Sequence, residues 1–99
     1  MKMAFVVYND FYTDSVMQIL QDTGIDYYTS WERAKGKGRG TEPHLGKGSF
    51  PSTNTVLMIA FQEEKPLQDL TKAITDYNAR IERPSDRTRL FVVPLESIV

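Results

Sequence analysis

A chain of 99 residues with a formal net charge of −1 has room for one domain and offers no bulk attraction for nucleic acid or an anionic membrane. Its 40% hydrophobic and 25% charged residues are ordinary globular composition, which excludes a disordered chain. It has no cysteine, hence no disulfide framework and no thiolate metal site, and no apolar run near the ~20 residues of a membrane span.

The opening MKMAFVVYND turns polar after one strand's length and lacks the pattern of a signal peptide, so a cytoplasmic protein is expected. Residues 1–8 are apolar and β-prone and read as a largely buried strand. Asn9, Asp10 and Thr13 then offer capping oxygens. Val16, Met17, Ile19 and Leu20 follow at helical spacing, and Gly24 supplies a C-cap, so a helix is expected over about 13–23. Residues 25–33 (IDYYTSWER) are rich in aromatic and β-branched side chains and predict a second strand, with Tyr27, Tyr28 and Trp31 as packing residues.

Residues 31–54 form the unusual stretch. They hold five of the six glycines, five of the twelve Lys/Arg, the only Trp and the only His. Segments this long without regular structure are uncommon in compact domains and usually functional. Past them, 55–61 (TVLMIAF) is an apolar run fit for the middle of a sheet. Pro66 suits the first turn of a second helix, in which Leu67, Leu70, Ile74 and Tyr77 make one core-facing stripe. A polar connection over 80–89, broken by Pro84, leads to a last strand over 90–93 that Pro94 ends.

The order β-α-β-β-α-β predicts an α+β, ferredoxin-like sandwich, one domain over 1–99, with both helices on one face of an antiparallel sheet. The strands are apolar enough that the other face needs cover too, most simply from further subunits. An oligomer is expected.

Two loops are basic. Arg33, Lys35, Lys37, Arg39 and Lys47 face only Glu32 and Glu42 in the first, and Arg80, Arg83, Arg87 and Arg89 face Glu82 and Asp86 in the second. They point to a small anion rather than a polyanion; the plainer reading is a solvated pair of loops. Neither standard phosphate motif is present. No pair completes G-x-x-x-x-G-K-[ST], and Gly36-Lys37-Gly38-Arg39-Gly40 is G-x-G-x-G leading into a loop rather than a helix. The glycines still permit close backbone approach to an anion beside Lys and Arg. His44 has no second His or Cys to share a metal, and Ser49, Ser52 and Thr53 form no triad with it. Asp10, Asp14, Asp22 and Asp26 read as caps and turn residues, and no enzyme site is expected. RNA-recognition domains share this element order, but they carry aromatic rings where this chain has TVLMIAF, so nucleic acid is not an expected partner.

The K-G-x-G-R segment at 35–39, the acidic Glu42 after it, and F-V-x-P-x-E at 91–96 together make the whole chain resemble the nitrogen regulatory protein P-II superfamily. The resemblance implies a homotrimer with its sheets facing inward and no enzymatic activity. It implies an adenine nucleotide (ATP, ADP or AMP) in the clefts between subunits, held by Gly36, Lys37, Gly38, Arg39, Arg87 and Arg89. It also implies that the long loop over 37–54, the family's T-loop, changes shape with the ligand and meets a regulated transporter or enzyme through Thr41, Glu42, His44, Lys47 and Phe50. Two departures stand out. The family's glycine-rich T-G-x-x-G-D-G-K turn is replaced by the glycine-free run 83–89, and the loop 37–54 holds no tyrosine, so tyrosine uridylylation does not carry over. A second reading is a metal-responsive protein resembling the CutA divalent-cation-tolerance proteins, with Glu42 and His44 as its local support.

Overall fold

A computed structural model describes residues 1–37, 45–46 and 52–99. Strands β1 (Lys2–Asn9), β2 (Thr29–Ala34), β3 (Asn54–Phe61) and β4 (Arg89–Pro94) form one antiparallel sheet in the order β2-β3-β1-β4. Helices α1 (Thr13–Asp22) and α2 (Glu64–Asn78) follow β1 and β3, and short 3₁₀ turns at Asp10–Tyr12 and Pro84–Asp86 precede α1 and β4. This is the expected ferredoxin-like arrangement.

Side chains alternate across a strand, and burial shows which face the helices cover. Ala4, Val6 and Tyr8 of β1 and Leu57, Ile59 and Phe61 of β3 are buried beneath Val16 and Leu20 of α1 and Leu70 and Ile74 of α2. The opposite face is apolar as well. Its cross-strand rows run Thr29–Met58–Phe5–Phe91, Trp31–Val56–Val7–Arg89 and Ala60–Met3–Val93. Trp31 and Phe91 are each about half exposed there. The sheet therefore has a second hydrophobic face that no element of this chain covers among the described residues.

The second strand begins at Thr29, four residues later than expected. Helix α1 ends in a Schellman closure: Ile25 N–H bonds the Leu20 carbonyl at 2.9 Å, Gly24 N–H bonds that of Gln21 at 3.1 Å, and Gly24 sits at φ +74°. Ile25 is buried as part of that cap, so 26–28 are spent in reaching the sheet edge. Of the aromatics assigned to packing, Tyr27 packs edge-on against Phe61 with centroids 6.1 Å apart, whereas Trp31 lies on the uncovered face.

Helix α2 carries Pro66 in its first turn, as expected, and its exposed side is laced by the pairs Lys65–Asp69 (3.0 Å) and Lys72–Asp76 (2.7 Å). Such solvent-exposed, screened pairs add little to stability. The stripe Leu67, Leu70 and Ile74 packing on the sheet is what holds this helix.

Candidate functional site

All the segments of interest gather at one end of the sheet, where β1 and β2 finish and β3 and β4 begin. The register sets this: Asn9 and Ala34 both pair with Asn54, and Arg89 pairs with Val7.

On the β2 side, a bulge between Trp31 and Ala34 places Arg33 at φ +57°, left-handed geometry that costs a non-glycine residue roughly 1–2 kcal/mol. The bulge turns the chain toward Gly36, which approaches β3 so closely that a Cβ there would stand 2.7 Å from Asn54 Nδ2. Lys37 follows, exposed.

The chain returns from the long segment through Ser52 and Thr53, and the β1–α1 junction receives it. The Asp10 backbone N–H donates to the Thr53 carbonyl at 2.9 Å. The hydroxyls of Thr53 and Thr55 both donate to the Asp10 carboxylate, the latter at 2.6 Å. Asn9 Nδ2 reaches Ser52 Oγ at 3.4 Å, and Ser52 in turn accepts from Gly46 N–H at 2.9 Å. Beneath this network the Tyr8 phenol is buried, which pushes its pKa above the ordinary 10 against the opposing pull of hydrogen bonds with Thr13 and Thr55.

On the β4 side the basic run is a 3₁₀ turn opened by Pro84 and closed by Asp86 N–H to Arg83 O (3.0 Å) and Arg87 N–H to Pro84 O (3.2 Å). Arg83 Nε lies 3.8 Å from the Asp86 carboxylate. Burial first, and then the charge of the Asp86 carboxylate, raise the Tyr12 phenol's pKa above the ordinary 10. Thr88 is buried at 1% exposure while Arg87 and Arg89 on either side are exposed, so alternation turns the two guanidinium groups away from the core. Arg89 faces the uncovered side of the sheet, in the row of Val7 and Trp31. Guanidinium forks of this kind match phosphate and carboxylate oxygens.

Of the residues expected to bind nucleotide, Arg87 and Arg89 lie together at the β4 edge and Gly36 and Lys37 together at the β2 edge. Two strands lie between, so three strand spacings, about 14 Å, separate the pairs. Gly38 and Arg39, and the expected partner-contact residues Thr41, Glu42, His44, Lys47 and Phe50, lie outside the described residues. Among the described residues no group of three His, Cys, Asp or Glu side chains is placed to hold a metal.

Sequence reasoning missed the part played by Asp10, which is a long-range tether rather than a helix cap. The signal was the pair of threonines at 53 and 55, spaced for one side of an extended strand.

The family model described as nitrogen regulatory protein P-II matches residues 1–99. Among solved structures the chain is similar to CPII of Thiomonas intermedia K12 bound to ADP and bicarbonate, at TM-score 0.70 and 15% identity, covering 93% of this chain and 82% of that one. It is similar to the same protein, a nitrogen regulatory PII-like protein, bound to ADP, AMP and bicarbonate (TM-score 0.71, 15% identity, the same coverage). It is also similar to the apo form of CPII (TM-score 0.66, 13% identity, 93% and 85% covered). At these identities the likeness is one of fold. Among curated protein sequences none matches this chain significantly.

Proposed function

We propose, from the premise that this chain belongs to the nitrogen regulatory protein P-II family, that it is a signalling protein rather than a catalyst. It takes an adenine nucleotide between two copies of itself and reports the occupancy to a partner, a transporter or an enzyme, through the segment 37–54.

The observation that carries this reading is the placement of the two basic segments at the same end of the sheet but on opposite edges. An anion gripped by both needs the β2 edge of one copy beside the β4 edge of another. A homotrimer with its sheets turned inward supplies that neighbour three times over and covers the face that bears Trp31, Met58, Phe5 and Phe91. Gly36 and Lys37, continuing into Gly38 and Arg39, then approach the ligand by backbone and charge. Arg87 and Arg89 of the neighbouring copy grip its phosphates. Two pre-set guanidinium groups on a proline-opened turn stand in for a glycine-lined cradle. Two of the CPII structures hold ADP and bicarbonate, one of them with AMP as well, which makes ADP and AMP the first ligands to try.

The test is calorimetric titration of ADP, AMP and ATP, with and without bicarbonate, into the full chain and its Arg89→Ala variant. ADP at 100 times its Kd should raise the melting temperature by several degrees, from about 2.7 kcal/mol of added stability. Loss of a charge-assisted hydrogen bond in Arg89→Ala should weaken binding by roughly 10- to 100-fold at unchanged unliganded stability. No nucleotide heat in the parent, or full affinity in a folded Arg89→Ala protein, overturns the reading.

A further inference from the structure

Strand β2 carries one residue more than its pairing needs. Trp31 stands opposite Val56 and Ala34 opposite Asn54, so Glu32 and Arg33 together fill the place across from Thr55. Cross-strand partners share a face, and Val56 and Asn54 lie on the same side of β3. Trp31 and Ala34 therefore share that side too, although an odd number of steps separates them. Gly36 agrees with this, because a Cβ on it would meet the Asn54 side chain. A strand lacking Arg33 would leave Trp31 and Ala34 opposite the same partners. The register does not require the extra residue.

Nor does the extra residue stabilise the strand. Arg33 takes φ +57°, the left-handed region in which a side chain is strained and glycine is not. Its side chain is exposed and makes no hydrogen bond or ion pair among the described residues, not even with neighbouring Glu32. Bulges re-aim side chains beside functional sites, and strained backbone persists where function uses it. A strained insertion whose side chain gains nothing from its own chain points to something outside that chain.

The setting says what that is. Arg33 shortly precedes Gly36 at the β2 edge, and with Lys35 and Lys37 it makes a run of exposed cations, none of them ion-paired among the described residues. A guanidinium is satisfied by a carboxylate or a phosphate. Gly36 beside it lets a backbone come close to a small ligand, which favours the phosphate. We infer that Arg33 is a phosphate-binding residue of the β2 half-site, inserted by the bulge so that its guanidinium reaches the nucleotide. The inference rests on the functional reading above and adds to it a residue and a reason for the strain.

Four variants of the full chain test it. Arg33→Ala keeps the strain and removes the charge, Arg33→Gly removes both, deletion of Arg33 restores a regular strand, and Arg33→Lys keeps the charge without the planar fork. In calorimetric titration ADP should bind the first three roughly 10- to 100-fold more weakly than the parent, the loss of a charge-assisted hydrogen bond. Arg33→Lys should fall between them and the parent. Thermal melts without ligand should rank differently: Arg33→Gly and the deletion a few degrees above the parent, Arg33→Ala level with it. Affinity would then fall whether stability rises or holds, which a merely structural role would not produce. A parent that binds ADP, with affinity unchanged in Arg33→Ala and Arg33→Gly, overturns the inference alone and leaves the cation to an acidic partner. A parent that binds no ADP overturns the functional reading, and the inference falls with it.

Discussion

The Asn78 side-chain amide clasps the backbone of Thr88 from both sides, donating to its carbonyl at 2.7 Å and accepting from its N–H at 2.9 Å. The last residue of α2 thus fixes the point at which the basic run becomes β4. A strand partner normally supplies both bonds; here one side chain does it, and Arg87 and Arg89 project on either side of a pinned residue. Truncation by Asn78→Ala leaves both backbone groups of a buried residue unpaired, at a cost of roughly 1–3 kcal/mol. The melting temperature should fall by several degrees for each kcal/mol in a domain of this size. Asn78→Asp keeps an acceptor for the N–H but turns a carboxylate toward the Thr88 carbonyl, and it should do no better than alanine. Thermal melts of the three proteins check this order.

Assembly should depend on the middle row of the uncovered face. Phe91 lies beside Phe5, and Phe5 beside Met58. Placing a carboxylate in that row by Phe91→Asp costs a lone chain comparatively little, because Phe91 is already half exposed there. Inside a closed trimer it would bury a charge without a partner, a penalty of several kcal/mol per site. Light scattering after gel filtration should show a trimer for the parent at micromolar concentration and a monomer for the variant, with far-UV circular dichroism retained. A variant that remains trimeric would show that the subunits meet elsewhere.

Alkali should loosen the fold through its tyrosines. Burial raises the Tyr8 pKa, and burial with the Asp86 carboxylate raises that of Tyr12, both above the unfolded value near 10. Below pH 10 both phenols are protonated in either state and stability is flat with respect to them. As pH rises past 10 the unfolded chain loses these protons first, so stability declines until the folded pKa values are passed. Urea midpoints at pH 8, 9, 10 and 11 should fall only over the last steps. In Tyr8→Phe that alkaline fall should be shallower, whatever the variant's starting stability.

The contact between Gly36 and Asn54 predicts a matched pair of effects. A methyl group at Gly36 meets the Asn54 amide nitrogen at 2.7 Å, and the amide has to rotate away. Gly36→Ala should therefore cost stability, and the cost should shrink when Asn54→Ala is already present. A double-mutant cycle by urea unfolding should give a coupling of about 0.5 kcal/mol or more. Strict additivity would mean that the two do not meet in solution.

How much of this was legible in the amino-acid sequence varies with the range of the forces involved. The strands at 55–61 and 90–93 and the stripe Leu67, Leu70 and Ile74 could be read because each reflects a local period. The start of β2 could not. Ile25 is as β-prone as Tyr27, but the helix closure at Gly24 claims it first. Asp10 looked like a helix cap because that is the usual place for an aspartate before α1, and only the register between β1 and β3 brings Thr53 and Thr55 beside it. The basic loops were visible as composition. Their separation by three strand spacings was not, since it depends on strand order. Gly38, Arg39 and the expected contact residues Thr41, Glu42, His44, Lys47 and Phe50 are not among the described residues, and their roles stand as proposals.

Under the proposed function, the opposite-edge placement of Gly36 and Arg89 gives each chain two half-sites that do not meet within it. That allows rescue between defective chains. A protein disabled at its β2 edge and another disabled at its β4 edge should each bind nothing alone. Mixed from the unfolded state and allowed to reassemble at random, they should restore about a quarter of the clefts, those in which each neighbour happens to contribute its intact edge. Two inert preparations would together regain a ligand that neither holds.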